Sequence, residues 1–206
     1  MPDGLILGFD CSAAHCAAAL LAPDGQLLAA RHDAMARGQA EHLMPMLAGL
    51  LDGAGAGWGD VGRIGVGTGP GNFTGIRIAV AAARGLALAL GCPAIGIAVP
   101  QAVALGAGRP CRVVLPGRQG QVIWQDFDAS GPIPVAQTPI AQATETALPP
   151  GPPPLTQPAF ALAEAIARLA LAHGDAPAPR PAPIYLRPAD AAPARDRGPV
   201  MLGAAP

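Results

Sequence analysis

Short apolar runs separated by turn residues give way, along this chain, to apolar positions spaced three and four apart. Leu5–Asp10 (LILGFD) and residues 15–22 (HCAAALLA) predict two strands. Pro23-Asp24-Gly25-Gln26 is a turn sequence in which Gly25 can take positive φ. Residues 27–31 return as a third strand, so the three predict an antiparallel meander. In Gln39–Gly53, Leu43, Met46 or Leu47, and Leu50 or Leu51 recur at helical spacing. Pro45 is expected in the first turns, where a missing N–H costs little. Gly53 and Gly55 are stop signals.

A fourth strand is expected over Ile64-Gly65-Val66-Gly67, followed by the glycine-rich Thr68-Gly69-Pro70-Gly71-Asn72-Phe73-Thr74-Gly75. A helix over 77–90 ends at Gly91 and Pro93. Residues 94–99 make a fifth strand, and strand–helix–strand in this order predicts a parallel crossover. Further on, 100–106 reads as a short helix, and 111–115 with Gln121–Phe127 as a hairpin or adjacent strands of a second lobe. The proline cluster PPGPPP within 148–158 reads as an extended loop. Residues 159–173 form an amphipathic helix with Glu164 and Arg168 as an i,i+4 pair. Beyond 174 only Ile184-Tyr185-Leu186-Arg187 looks anchored, and a flexible tail is expected over 188–206.

The 77–90 helix has no polar face, unlike an ordinary surface helix. Ile78, Ala82, Gly85 and Ala89 are expected to face the sheet. The opposite side carries Arg77, Val80 or Ala81, Arg84 and Leu88. Two arginines on an otherwise apolar face fit a protein interface, where Arg is enriched and Lys depleted. The competing reading has the second lobe cover that face. From 78 to 99 only Arg84 is charged, which invites a membrane reading. Gly91, Cys92 and Pro93 interrupt the run, so a buried helix followed by a buried strand is preferred.

Composition narrows the choice. With 206 residues the chain suffices for one sizeable domain or two small lobes. Hydrophobic residues are 51% and charged residues 13%, about half the usual charged share, which points to a core-rich chain with apolar surface to hide. The net charge is −1 and every basic residue is Arg. Without Lys there is no P-loop lysine, Schiff-base lysine or lysine base. No run of basic residues and few aromatics leave no footprint for independent nucleic-acid binding. The cysteines, Cys11, Cys16, Cys92 and Cys111, lack ligand spacing and read as reduced buried thiols, with no metal. The start MPDGLILGFD has no basic region before its short apolar run and is not a signal peptide, so a cytoplasmic address is expected.

The candidate chemistry is sparse. The turn GPGNFTG lies between a strand and a helix start, where backbone N–H groups can cradle a phosphate. It matches neither a Walker A loop nor G-x-G-x-x-G. The preferred reading is structural, with Gly69, Gly71, Thr74 and Gly75 letting the chain reverse and the helix pack closely. Asp10 and Ser12 end the first strand and could position a metal–phosphate or a water, though Asp at a strand end is more often a turn-former. Paired histidines at helical spacing and G-x-S-x-G are both missing, and no acid/base pair can be assembled.

The opening LILGFDCS, the long motif RIGVGTGPGNFTGIRI over 63–78, the segment QAEHLMPM over 39–46 and the later Ile184-Tyr185-Leu186-Arg187 resemble the TsaB (YeaZ) family. The match is good over 5–99 and thin after 127. The resemblance implies an α/β, actin-like/Hsp70-like ATPase (ribonuclease H-like) fold. Its two lobes with mixed sheets fall at 1–99 and 100–187, the second shortened. It also implies a non-catalytic subunit that pairs with TsaD, which transfers the threonylcarbamoyl group to N6 of adenosine 37 in tRNA. The ATPase TsaE joins them, self-pairing is an alternative, and tRNA is met only through the complex. On that reading the contact helices carry Leu43, Leu47, Leu50, Arg77, Val80, Ala81, Arg84 and Leu88, and no cofactor is held. Cys11 and Asn72 depart from the family's Thr and Ser. The alternatives are an independent kinase or ATPase of this fold, which needs a second phosphate loop, or a glycoprotease-like peptidase, which needs metal ligands or a nucleophile–base pair.

Overall fold

The structure is a computed structural model that describes residues 4–129 and 131–186. Strand β1 (Leu5–Asp10) pairs antiparallel with β2 (His15–Leu21), and β2 with β3 (Leu27–Ala34). On the other side of β1 lie β4 (Val61–Gly67) and then β5 (Ala94–Ile97), both parallel to it. The order β3-β2-β1-β4-β5, with β2 alone reversed, is the ribonuclease H-like sheet of the actin-like class. β3 runs past residue 31 because Asp33 and Ala34 continue the ladder against Cys16 and His15.

Helices cover both faces, which is why β1 and β4 are apolar in consecutive positions. Helices α1 (Gln39–Gly53) and α2 (Phe73–Leu90) pack on one face over Leu7, Phe9, Leu20 and Val66. Helix α4 (Leu162–Ala172) packs on the other with α3 (Val99–Ala104), over Ile6, Leu21, Ile95 and Ile97. Gly8 and Gly65 sit side by side on β1 and β4 and make a flat seat for α4. A Cβ on Gly8 would lie 2.7 Å from the Ala167 Cβ, and one on Gly65 2.9 Å from the Ala170 Cβ. The alanine-rich helix therefore approaches as closely as its backbone allows.

The second sheet, β6 (Cys111–Pro116), β7 (Gln121–Phe127) and β8 (Ala141–Thr144), is antiparallel throughout rather than mixed. β6 and β7 are joined by a tight turn, which leaves no room for a parallel crossover. The chain then returns through α4 to the first sheet, so chain order and spatial neighbourhood part company after residue 160.

Two features of the helices differ from expectation. α2 begins at Phe73, not Arg77, because the Asn72 side chain caps it, accepting from Thr74 N (3.0 Å) and Gly75 N (3.2 Å). Thr74 and Gly75 are thus its first turn and not part of a loop. Pro45 lies inside α1, past the first intrahelical bond from His42 N to Gly38 O, so it removes a helix hydrogen bond after all. It is tolerated on the exposed side of the helix. Arg187 and the expected tail over 188–206 fall outside the described residues.

Candidate functional site

The two motifs singled out in the sequence meet at the carboxyl ends of β1 and β4. Asp10 is fully buried, and its Oδ1 accepts from Ser12 N (2.8 Å), Ser12 Oγ (2.7 Å) and His15 Nε2 (2.9 Å). Its Oδ2 is buried without a partner and lies against Gly67, whose missing side chain makes room for it. A Ser–His–Asp hydrolase needs the imidazole between serine and carboxylate. Here the carboxylate stands between the other two, so the Ser12 hydroxyl donates to Asp10 and no imidazole faces it. Ser12 is also buried.

The glycine turn closes over this junction. Gly69 takes φ +88°, a conformation that favours glycine. Asn72 N donates to Ser12 O (2.6 Å). The carbonyl oxygens of Ser12 and Cys11 occupy the places where Gly71 and Gly75 would carry Cβ atoms. An anion at this helix end would meet those oxygens, and the Asn72 carbonyl already takes the first free N–H groups. The turn therefore locks α2 onto the Asp10 loop. The neighbouring thiols are held neutral: burial, and then Cys16, push the Cys11 thiol well up, and burial raises Cys16. The two sulfurs lie 3.4 Å apart as free cysteines. Among the described residues no group of three or more His, Cys, Asp or Glu is arranged to hold a metal.

The expected contact residues divide between core and surface. Leu43, Leu47, Leu50 and Val80 are buried against the sheet and cannot touch a partner. The inward side of α2 is Gly75, Ile76, Ala79, Val80 and Ala83, not the side through Gly85 and Ala89. A helix apolar all round carries little signal telling which side faces in: Arg77, Ala81 and Leu88 point outward as expected and Ile78 and Ala82 are partly buried, whereas Val80 is buried and Gly85 and Ala89 are exposed. Ala81, Gly85 and Ala89 are exposed, and Leu88 is 86% exposed. On the adjoining α1, Met44 is 40% exposed. α2 is long and apolar enough to cross a membrane by length and composition, with a mean hydropathy of 1.5. It nevertheless links two adjacent parallel strands and so lies along their sheet. Its outer side is an apolar helix face that no described residue covers.

Arg77 and Arg84 border this face, and both hold the segment that follows α4. Arg84 Nε donates to Pro181 O (2.7 Å), Arg77 Nε to the Tyr185 hydroxyl (2.8 Å), and Ile184 N to Thr68 O (2.8 Å). Buried Arg63 on β4 starts the same strap: it donates to the carbonyls of Ala170 and Gly174 at the end of α4 and pairs with Asp175 (2.9 Å). Arg63 was not singled out from the sequence, although a charge between apolar strand positions is itself a signal. His42 stands alone in the sequence but bonds Asp33 on β3 (2.6 Å).

The family model described as "TsaD: tRNA N6-adenosine threonylcarbamoyltransferase" matches residues 33–165, more than half of the chain. The tRNA threonylcarbamoyladenosine biosynthesis protein TsaB of Escherichia coli is 33% identical over 127 residues, covering 59% of this chain and 54% of that protein. The chain thus spans about half the length of that relative. YeaZ from Pseudomonas aeruginosa superposes with a TM-score of 0.62 at 29% identity, over 71% of this chain and 69% of that one. A second Pseudomonas aeruginosa structure, described as similar to peptidase YeaZ, gives a TM-score of 0.74 at 24% identity over 89% and 100%.

Proposed function

Because the chain belongs to the TsaB/YeaZ family, we propose that it is a non-catalytic subunit in tRNA threonylcarbamoyladenosine formation and docks a TsaD-type partner through α1 and α2. The observation that carries the proposal is the outer face of α2. Ala81, Gly85, Leu88 and Ala89 form an apolar surface, uncovered by any described residue, with small residues that let a partner helix come close. The buried, hydrogen-bonded arrangement at Asp10 and Ser12 supports a supporting role over a hydrolytic one. A cytoplasmic place, contact with tRNA only through the complex, and TsaE as a further partner go with the same reading.

Reconstitution tests it. The purified chain, a TsaD-type partner and a threonylcarbamoyl donor are combined with unmodified tRNA, and product is read by mass spectrometry of nucleosides. The chain alone and the partner alone should give no product, and the pair should. Modification, peptide cleavage or ATP turnover by the chain alone, surviving repurification, would overturn the reading.

A further inference from the structure

The geometry points to Arg77 as the receptor for a carboxylate on the docking partner, held in readiness by Phe73 and by Tyr185 of the strap. This rests on the docking role proposed above. The Arg77 guanidinium carbon lies 3.8 Å from the Phe73 ring centroid and 5.6 Å from that of Tyr185. Those rings are 4.7 Å apart, and the Tyr185 hydroxyl accepts a hydrogen bond from Nε. Only Nε is used. The four N–H groups on the two terminal nitrogens have no acceptor among the described residues, and the side chain is exposed.

Such a fork matches a carboxylate in two parallel hydrogen bonds, and stacking fixes its plane before the partner arrives. Less conformational freedom is then lost on binding than for a loose arginine. Arg84, half-buried and bound to Pro181 O, holds the strap instead. The surface that continues from Arg77 is apolar, through Ala81, Gly85 and Leu88, with no row of cations to follow a phosphate backbone. The occupant is therefore an Asp or Glu on a helix of the protein partner. Tyr185 is a positioning residue: the strap, anchored by Arg63, Arg84 and the Ile184–Thr68 bond, brings its hydroxyl to Arg77.

Titration calorimetry of the full chain against the TsaD-type partner, at low and high salt, tests this. Arg77→Gln should weaken binding about tenfold at low salt, with a smaller loss at high salt. Arg77→Lys should recover only part of it. Tyr185→Phe, which changes no charge, should lose about threefold, with circular dichroism unaltered. If Arg77→Gln and Tyr185→Phe bind as the wild type while Leu88→Glu does not bind, the Arg77 inference is overturned and the docking surface stands. If Leu88→Glu also binds normally, or the wild type forms no complex, the docking surface falls and Arg77 with it.

Discussion

Arg112 and Asp126 face each other across β6 and β7 as a buried, two-pronged ion pair, Nε to Oδ1 at 2.6 Å and Nη2 to Oδ2 at 2.8 Å. The arginine also lies over the Trp124 ring at 4.6 Å and donates to Pro149 O, so one side chain fastens the proline-rich loop to the second sheet. Its charge is stabilised by the Asp126 hydrogen bonds, which push its pKa up. Removing one partner of such a pair strands the other charge. Arg112→Ala should therefore cost about 3–5 kcal/mol in urea unfolding, and Arg112→Met with Asp126→Leu much less. Asp33 behaves differently because it is only half-buried. Hydrogen bonds from Arg31 and then His42 hold its carboxyl below the ordinary value of 3.8. Its contribution is complete above that value and is lost as pH falls through the depressed one. Asp33→Asn should thus lower stability at neutral pH and show a shallower acid limb below about pH 4 in pH-dependent thermal melts. None of these partners was legible in the sequence. Arg63 and Asp175 are 112 positions apart, and only the fold brings them together.

At the scale of elements, α2 shows what pattern can and cannot tell. Its existence, its end at Gly91 and its lack of a polar face were all readable. Its start was not, because the glycine-rich stretch was read as loop up to Gly75. Yet Asn72 is a good capping residue standing just before the first helical position, and that signal was available. Asn72→Ala should destabilise the protein by about 1 kcal/mol, and Asn72→Ser by little, in thermal or urea melts. α1 and α2 share a further ambiguity. Leu43, Leu47, Leu50 and Val80 have interface chemistry and core chemistry alike, and burial decides for the core. A charge placed at any of them reports on folding, whereas Leu88 and Ala81 report on association. β8, with the sequence AQAT, alternates but offers only two alanines as apolar positions, and it exists because β7 offers an edge to pair with.

For the whole molecule, the first five strands and their crossover were legible, since each rests on local turns and a single parallel connection. The return of α4 to the first sheet was not. Nothing in an alanine-rich amphipathic helix says which sheet it covers; the Gly8–Gly65 seat does, and it is formed only once β1 and β4 pair. The strap follows from that return, and it brings Tyr185 to the edge of the exposed face of α2. The central claim is that this surface is where the partner sits. Light scattering after size exclusion, with the chain and a TsaD-type partner mixed at micromolar concentration, tests it most directly. A single complex of summed mass is expected for the wild type. Leu88→Glu should elute as separate components with an unchanged melting temperature, because its side chain is already in solvent. A full-mass complex with Leu88→Glu and with Ala81→Glu would contradict the account.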